Sequence, residues 1–189
     1  MLNSIRKDNH TENFEICYIG LGSNLDSPIN QIQQAIYTLS NSTQIKLFKK
    51  SSLYKSPPMG SQDQNDYINA VVAIKTCLSP IVLLDKLQSI ELTQGRIRKE
   101  ERWSARTLDL DLLLYGNQII ESDRLTVPHY GLTERVFVLY PLSEIAPHLT
   151  LPKGANLVSI ITKLKQKKPI IEKLSTSFDN IKNTGINFQ

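Results

Sequence analysis

Cysteine is scarce in this 189-residue chain, which carries only Cys17 and Cys77. Both lie inside apolar runs, and we interpret them as reduced core residues of a cytosolic protein rather than as a disulfide or a metal site. No apolar run approaches the roughly 18 residues that a membrane-spanning helix needs. The first fifteen residues are polar and contain no hydrophobic signal-peptide region, so no secretory signal is expected.

The two common glycine-rich nucleotide-binding motifs are also absent. No Walker A motif occurs, and the pair Gly20 and Gly22 is followed by Leu25 where a dinucleotide-binding fingerprint would have its third glycine. We therefore interpret Gly20 and Gly22 as turn and packing glycines. Any nucleotide site in this chain has to be built from other residues.

The composition is that of an ordinary globular protein, with 40% hydrophobic and 21% charged residues. Residues 15–165 are predicted to form a single domain, between a flexible N-terminal extension at 1–14 and a basic, partly disordered tail at 166–189. The formal net charge of +4 favours anionic partners. Five cations are concentrated in one eleven-residue segment, namely Arg96, Arg98, Lys99, Arg102 and Arg106.

The order of predicted elements indicates a ferredoxin-like α+β sandwich. Apolar or alternating runs at 16–22, 45–55, 67–76 and 107–115 are typical of strands, and helices are predicted after the first and the third of them. The resulting βαββαβ order predicts an antiparallel sheet with helices packed on one face.

The remaining segments are predicted to be shorter elements. Residues 56–66 are too polar and too rich in breaker residues to be anything but a long loop. The turn at 116–117 predicts a hairpin that extends the sheet. Further short helices are expected at 132–139 and 156–165.

Two aspartates interrupt the last predicted strand, in the stretch RTLDLDLLLYG at 106–116. Because side chains alternate across a strand, Asp109 and Asp111 are predicted to share one face, with about 6.6 Å between their Cβ atoms. Two carboxylates at that spacing can lean together and bridge metal ions, which in two-metal sites lie about 3.5–4 Å apart. The residues predicted to share the opposite, helix-packed face are Leu108, Leu110, Leu112 and Leu114.

The acid pair also has a simpler interpretation, in which both carboxylates face water and pair with nearby arginines. Against it, acidic residues are depleted in strands, and two on one face repel each other. Five cations also exceed what two carboxylates need. Paired aspartates with surplus arginine suit a polyphosphate, since carboxylate oxygens hold Mg²⁺ and guanidinium groups hold phosphate oxygens. The pattern therefore favours phosphoryl or nucleotidyl chemistry.

Four motifs follow one another in unbroken order over about residues 16–150. They are GLGSNL (20–25), SPPMGSQDQNDYINAV (56–71), ELTQGRIRKEERWSARTLDLDLLLYG (91–116) and LTVPHYGLTERVFVLYPLSEIAP (125–147). Together they resemble the 6-hydroxymethyl-7,8-dihydropterin pyrophosphokinase family. The resemblance implies a folate-pathway enzyme that transfers the β,γ-diphosphate of ATP to the hydroxymethyl group of a reduced pterin and releases AMP. The fold that it implies is again the ferredoxin-like sandwich.

The resemblance also implies roles for individual residues. Asp109 and Asp111 would hold two Mg²⁺ ions, and Arg102 and Arg106 would join them as catalytic groups that stabilise charge in the transition state. The resemblance implies that Arg96 and Lys99 are basic positions of a mobile catalytic loop. Positions implied for ATP are Gln88, Glu91, Arg98, Trp103, Leu112, Arg124, Thr126, His129, Tyr130 and Arg135. Positions implied for the pterin are Ser56, Pro57, Met59, Tyr67, Asn69 and Phe137.

Taken without the resemblance, several of these residues have ordinary structural interpretations. Tyr67 and Phe137 would be core or rim aromatics, and His129 would be a hydrogen-bonded loop histidine. The chain also departs from the family pattern at Ser104, where Gly or Ala is usual, and at Ala105, where Pro is common. A differently hinged loop is therefore expected before Arg106.

Two other classes of function remain open from the residues alone. An RNA-binding module has the same element order, but it would need RNP1 aromatics that the strand YINAVVAIKT lacks. The acid pair and the basic pI also allow a two-metal nuclease, which would need no pterin pocket. We expect a cytoplasmic monomer that uses ATP, a hydroxymethyldihydropterin and Mg²⁺ and binds neither nucleic acid nor a membrane. From the length of 189 residues we expect no fused second folate enzyme.

Overall fold

The computed structural model describes residues 14–60, 63–97, 104–166 and 169–175. The strands in these ranges are β1 (Glu15–Ser23), β2 (Ile45–Lys50), β3 (Tyr54–Ser56), β4 (Tyr67–Thr76), β5 (Asp109–Tyr115), β6 (Ile120–Glu121), β7 (Thr126–Val127) and β8 (Glu172–Lys173). The helices are α1 (Pro28–Ser40), α2 (Pro80–Thr93), α3 (Val136–Ile145) and α4 (Leu157–Lys165). In the described part of the chain, no helix is both long and apolar enough to cross a membrane.

The main sheet is antiparallel throughout its recorded pairings, with strand order β5-β1-β4-β3-β8. β2 pairs with one end of β4 and β3 with the other, so the strand predicted at 45–55 is divided in two at residues 51–53. The predicted α+β class, an antiparallel sheet with packed helices in βαββαβ order, is confirmed.

The helices cover both faces of this sheet, whereas the sequence predicted helices on one face. α1 and α2 enclose a core cluster with Ile19, Val72 and Leu112, and α3 and α4 enclose a second cluster with Val71 and Leu113. Since neighbouring residues of β4 enter different clusters, the two clusters lie on opposite faces. The sequence contains a signal for helices on both faces, namely the continuous apolar run of β4. A strand buried on both faces lacks the alternation of a half-exposed strand.

A β-bulge in β5 changes the predicted alternation. The register with β1 runs Tyr18 to Leu114 and then Ile19 to Leu112, which leaves Leu113 as an extra residue. Before the bulge the prediction is confirmed, since Leu110 and Leu112 pack towards α1 and α2. Leu114 instead packs with Leu113 in the α3–α4 cluster, because a bulge sets two consecutive residues against one. The face that carries Asp109 and Asp111 is therefore the α3 face.

The predicted hairpin forms but does not extend the main sheet. β6 pairs with β7 as a separate two-stranded sheet. The returning chain meets β5 beyond this hairpin, where the His129 N–H donates to the Leu113 carbonyl at 3.0 Å. β8 lies in the segment that the sequence assigns to the tail, and the domain limits remain predictions.

Candidate functional site

A cavity of about 690 Å³ opens on the α3 face of the sheet, where β1, β4 and β5 lie side by side. Its walls include the start of α3 and the loop that follows β3. All six positions implied for the pterin line it, namely Ser56, Pro57, Met59, Tyr67, Asn69 and Phe137. Seven further predicted residues line it too, namely Arg96, Arg106, Asp109, Asp111, His129, Tyr130 and Arg135.

Two glycines form part of the floor of this cavity. Gly20 and Gly22 lie inside β1 and not in a turn, so their interpretation as turn glycines was wrong. A Cβ atom on Gly22 would lie 3.4 Å from Oδ1 of Asn69, and one on Gly20 would lie 3.4 Å from the Leu113 side chain. The missing side chains keep the floor of the cavity open.

Asp109 lies between two arginines. Its Oδ2 accepts a hydrogen bond from Arg106 at 2.8 Å, and its Oδ1 contacts the Arg96 guanidinium. The end of α2 sets the position of Arg96. Gly95 has a φ of 78°, and the Arg96 N–H donates back to the Glu91 carbonyl at 3.0 Å, which turns the chain over the helix end. The turn at Gly95 therefore delivers Arg96 to the acid pair.

Glu91 ties α2 to the strand that carries the aspartates. Its side chain is buried, and one carboxylate oxygen accepts from the Leu110 N–H at 2.7 Å. The same oxygen contacts the Arg96 guanidinium. A carboxylate buried this deeply needs such partners, because an unpaired buried charge is costly. Glu91 therefore holds both Arg96 and the acidic strand in place.

Asp111 faces a different set of groups. Its Oδ2 lies 3.6 Å from Nε2 of His129 and 3.5 Å from a guanidinium nitrogen of Arg135. Burial, followed by the negative charge of Asp109, raises the pKa of Asp111 to about 7. The site therefore holds one negative charge that its own cations neutralise incompletely.

His129 is set up as a neutral hydrogen-bond donor. Burial, and then the positive charge of Arg135, lowers the pKa of His129 to about 4. Its Nδ1 accepts a hydrogen bond from the Gly131 N–H at 3.2 Å, which leaves the proton on Nε2, the nitrogen that faces Asp111. The sequence alone gave no reason to place a histidine against the acid pair.

The aromatic wall of the cavity is organised by Arg135. Its guanidinium carbon lies 4.9 Å from the ring centre of Tyr130 and 6.0 Å from that of Phe137. One guanidinium nitrogen also donates to the Tyr130 hydroxyl at 2.7 Å. On the opposite side, the Asn69 amide donates to the Ser56 hydroxyl at 3.0 Å. The cavity thus combines aromatic faces with fixed polar edges.

A second, smaller cavity of about 280 Å³ lies on the α2 side of the acid pair. Gln88 and Glu91 of α2, two of the positions that the resemblance implies for ATP, line it. The two cavities share one group of residues, which we call the acid–arginine cluster: Arg96, Arg106, Asp109 and Asp111. This cluster forms the boundary between the two compartments.

Comparison with known proteins identifies the chain. The family model for 7,8-dihydro-6-hydroxymethylpterin-pyrophosphokinase (HPPK) matches residues 18–147. The chain belongs to this family. Pyrophosphoryl transfer to a hydroxymethyldihydropterin, with ATP as co-substrate, is the activity of the family and of this chain.

Individual relatives support the same assignment. A 2-amino-4-hydroxy-6-hydroxymethyldihydropteridine pyrophosphokinase of Haemophilus influenzae is 50% identical over 153 residues, which cover 81% of this chain and 95% of that protein. The enzyme of that name from Pseudomonas aeruginosa is 49% identical over 144 residues, covering 76% and 88% of the two chains.

Solved structures share the fold of this chain. A Plasmodium falciparum HPPK-DHPS crystal structure with pteroate matches with a TM-score of 0.65 at 13% identity. The match covers 84% of this chain and 42% of that chain, so this chain spans less than half of the longer protein. At that identity the likeness supports the fold alone.

Some predicted HPPK positions lie elsewhere. Four fall outside the described residues, namely Arg98, Lys99, Arg102 and Trp103. Three others line neither cavity. Leu112 is buried in the core, Arg124 contacts Asp85 at the surface, and Thr126 is exposed on β7. Their roles in ATP binding remain predictions.

The residues of the acid–arginine cluster fit a Mg²⁺ site. No group of three or more His, Cys, Asp or Glu side chains that could hold a metal occurs within the described ranges. Magnesium does not require one, since it commonly takes one or two protein carboxylates and completes its shell with water and substrate phosphates. Asp109 and Asp111 supply two such oxygen donors, and the raised pKa of Asp111 marks a negative charge that a cation would compensate.

Proposed function

We propose that the diphosphate passes across the acid–arginine cluster, from ATP in the smaller compartment to the pterin in the larger one. The observation that carries this proposal is that both cavities share Arg96, Arg106, Asp109 and Asp111. A group that leaves one substrate and joins the other has to pass the wall common to both compartments. The β,γ-diphosphate of ATP would be transferred and AMP released.

The larger compartment suits a flat, polar heterocycle. The rings of Tyr67 and Phe137 line it and supply faces for stacking. The Asn69 amide and the Ser56 hydroxyl provide hydrogen-bonding groups at its edge. We assign Ser56, Pro57, Met59, Tyr67, Asn69 and Phe137 to the pterin on this basis.

The smaller compartment suits the nucleotide. Gln88 and Glu91 line its α2 wall, and Arg96 and Arg106 face it with positive charge for phosphate. Leu112, Arg124 and Thr126 are proposed for ATP from the motif match alone, since they line neither cavity. Arg98, Lys99, Arg102 and Trp103, which lie outside the described residues, are proposed for ATP and phosphate from the motif match alone.

Mg²⁺ would be held by Asp109 and Asp111, and we propose two ions. When bound, the metal supplies neutralisation of negative charge on the phosphates. Side chains of the protein would add to this neutralisation. Arg96 and Arg106 border both compartments, and Arg135 reaches the Asp111 side, where neutral His129 can donate a hydrogen bond from Nε2.

The proposed reaction is an in-line displacement at the β-phosphorus of ATP. A bond forms between the pterin hydroxymethyl oxygen and this phosphorus, and the bond to the oxygen that bridges the α- and β-phosphorus breaks. AMP leaves with that oxygen, and the hydroxyl proton is released. The arginines stabilise charge that develops on the transferred oxygens. Arg102 and Arg106 are the proposed catalytic arginines.

We also propose that the protein acts as a cytoplasmic monomer. The two cysteines are unpaired thiols, which suits a reducing compartment. In the described residues, no observation favours the nuclease or the RNA-binding alternative. Gel filtration with light scattering tests the oligomeric state.

A product assay tests the proposed function. The purified chain is incubated with ATP, Mg²⁺ and 6-hydroxymethyl-7,8-dihydropterin, and nucleotides and pterins are separated by chromatography. The expected result is one AMP and one pterin diphosphate for each ATP consumed, with no turnover when Mg²⁺ is chelated. A matched control uses 6-methyl-7,8-dihydropterin, which lacks the attacking hydroxyl and should give no AMP. Formation of ADP, or AMP formed with the methyl compound, would contradict the proposal.

A further inference from the structure

Glu144 lies near the end of α3, and it is not among the residues that line the two cavities. Its Oε1 accepts from the Ser52 hydroxyl at 2.8 Å and from Nζ of Lys173 at 3.1 Å. Its Oε2 accepts from the Ser52 N–H at 3.1 Å and from the Tyr54 hydroxyl at 2.8 Å. We call these four residues, Glu144, Ser52, Tyr54 and Lys173, the Glu144 clasp. One carboxylate thus joins α3 to β3, to the segment before β3, and to β8.

The strand β8 supplies one arm of the clasp. It pairs with β3, where Lys173 lies directly opposite Tyr54, and the Leu174 N–H donates to the Leu53 carbonyl at 2.9 Å. Because directly opposed residues of neighbouring strands point to one face of the sheet, the Lys173 and Tyr54 side chains reach Glu144 together. The C-terminal segment that contains β8 is therefore fastened to both β3 and α3.

Two of the elements joined by the clasp also form walls of the larger compartment. Ser56 at the end of β3 and Phe137 in the first turn of α3 both line it. Ser56 lies two residues after Tyr54, so the two side chains share one face of β3. Phe137 lies seven residues, about two turns, before Glu144, so these two share one face of α3. The clasp therefore joins the two walls at the ends that lie away from the cavity.

Tyr54 also contacts the polar edge of this compartment. It lies directly opposite Asn69 in the pairing of β3 with β4, and its carbonyl accepts from the Asn69 amide at 3.5 Å. The same amide donates to the Ser56 hydroxyl at 3.0 Å. Tyr54 thus contacts Glu144 with its side chain and Asn69 with its backbone. A shift of β3 relative to α3 would move Ser56 and Asn69 relative to Phe137.

We propose that Glu144 is a positioning residue for the pterin, because the Glu144 clasp sets the spacing between the β3 wall and the α3 wall of the larger compartment. Spacing matters for a flat ring, since a gap of about 0.5–1 Å already forfeits a quarter to a half of the dispersion energy. A carboxylate suits this place because all its lone pairs accept, whereas glutamine would replace one oxygen by a donor. The inference rests on the proposed function, which assigns the larger compartment to the pterin.

The test compares Glu144→Gln with a variant that loses stability elsewhere. Thr76 is buried at the opposite end of β4 from Asn69 and lines neither cavity. Its hydroxyl donates to the Gln44 carbonyl at 2.7 Å and accepts from the Leu78 N–H at 3.1 Å. Thr76→Val removes these hydrogen bonds with little change of shape, so it should lower the Tm and leave the walls of the compartment in place.

The Kd of 6-hydroxymethyl-7,8-dihydropterin is measured by calorimetry on the full chain, with Mg²⁺ and a saturating non-hydrolysable ATP analogue. Glu144→Gln should raise this Kd at least about fivefold, a typical size for coupling within one hydrogen-bond network, and change the Kd of the analogue less than about twofold. The KM for the pterin should rise with little change in kcat, as expected when ground-state and transition-state binding are lost together. Thr76→Val should change neither Kd. An equal rise of the pterin Kd in Thr76→Val would overturn the inference.

A double-mutant cycle tests whether Glu144 acts through β3. Tyr54→Phe removes only the hydroxyl that donates to Glu144, and it should raise the pterin Kd on its own. The double variant should bind pterin at most about twofold more weakly than the weaker single variant, because both substitutions break the same clasp. Fully additive effects would contradict the role of β3.

Hydrogen exchange on the unaltered chain covers the case in which the variants do not fold. Adding pterin to the complex with Mg²⁺ and the ATP analogue should slow exchange of the Ser52 and Leu174 N–H groups at least about fivefold, because bound pterin favours the closed clasp. The Gly116 N–H, which donates to the Ile16 carbonyl at 2.8 Å beyond the end of β5, should change less than about twofold. Unchanged exchange at Ser52 and Leu174, or an unchanged pterin Kd in Glu144→Gln, would overturn the inference. Absence of AMP formation by the unaltered chain would instead overturn the proposed function.

Discussion

Asp109 and Asp111 share one face of β5 but have different electrostatic surroundings. Asp109 contacts two guanidinium groups, those of Arg96 and Arg106. Asp111 has Arg135 at 3.5 Å and a neutral histidine at 3.6 Å, and burial with the charge of Asp109 raises its pKa to about 7. Neutralising one aspartate should therefore affect stability with the opposite sign from neutralising the other.

Asp111→Asn should stabilise the protein in the absence of divalent cations and nucleotide. The folded pKa of about 7 exceeds the unfolded value of about 3.9, so the unfolded state ionises first and stability is lost as the pH rises from about 4 to about 7. The gain should be absent near pH 4 and complete above pH 7, where it reaches on the order of 2–4 kcal/mol. Thermal unfolding at pH 5 and pH 8 measures it. A lower Tm of Asp111→Asn at pH 8 would contradict the electrostatic description.

Asp109→Asn is the matched comparison, because Asp109 lies two residues before Asp111 on the same face of β5. This substitution removes the negative charge that both arginines contact, so the two guanidinium groups are left close together without it. We expect its Tm at pH 8 to lie below that of the unaltered chain, in the same cation-free buffer. Equal effects of the two substitutions would show that the surroundings of the two aspartates do not differ in energy.

Removing either carboxylate should impair turnover far more than pterin binding. Asp109→Ala and Asp111→Ala each take away an oxygen donor at the boundary between the compartments, and losses on the order of 10²–10³-fold in kcat are typical for such groups. The Kd of the pterin should change only a few-fold, since the aromatic and amide walls remain. Steady-state kinetics and calorimetry at high Mg²⁺ test this. Unchanged turnover would eliminate the metal role.

Gly22→Ala should weaken pterin binding without unfolding the protein. The added Cβ would meet Oδ1 of Asn69 at 3.4 Å, which is an ordinary contact distance, but it would occupy the floor of the larger compartment. We expect about a tenfold higher Kd for the pterin, an unchanged Tm, and unchanged affinity for an ATP analogue in the absence of pterin. A loss of nucleotide affinity of the same size would show that Gly22 does not belong to the pterin floor.

Glu144 should contribute stability that disappears in acid. Burial acts against its ionisation, but hydrogen bonds from Ser52, Tyr54 and Lys173 dominate and lower its pKa. A carboxyl group with a lowered pKa stabilises the fold at pH values above its ordinary, unfolded pKa. This stabilisation is lost as the pH falls through the folded pKa. Glu144→Gln should therefore lower the Tm at pH 7 and have little effect near pH 3. Glu121→Gln, the same change at an exposed residue, serves as control and should leave the Tm unchanged at both pH values.

Local patterns predicted much of this structure because their causes are local. Pro80 and Gly95 mark the two ends of α2, and the period-two pattern around Asp109 fixes which way the acid pair points. The motif match then named residues that the structure gathers around one cavity. Tyr67 and Phe137 are far apart in sequence, and no periodicity brings them together.

The features that sequence reasoning missed depend on contacts between distant segments. His129 reaches Asp111 because its backbone N–H donates a hydrogen bond to β5. The sequence Pro128-His129-Tyr130 gives no indication of this contact. The buried Asn24 side chain makes hydrogen bonds to Asn65 and Arg106, which lie 41 and 82 residues further along the chain. The one available signal was an asparagine directly after a strand, which is equally typical of a simple turn.

The extra residue in β5 resets the phase of the strand. Before Leu113 the odd-numbered side chains point towards α3, and after it the odd-numbered Tyr115 points towards α2, where its hydroxyl donates to the Leu78 carbonyl at 2.7 Å. Without the bulge, simple alternation along the same sequence would turn Tyr115 to the α3 face and away from the Leu78 carbonyl. β5 therefore needs its bulge to present Asp109 and Asp111 to the cavity at one end and Tyr115 to the segment before α2 at the other.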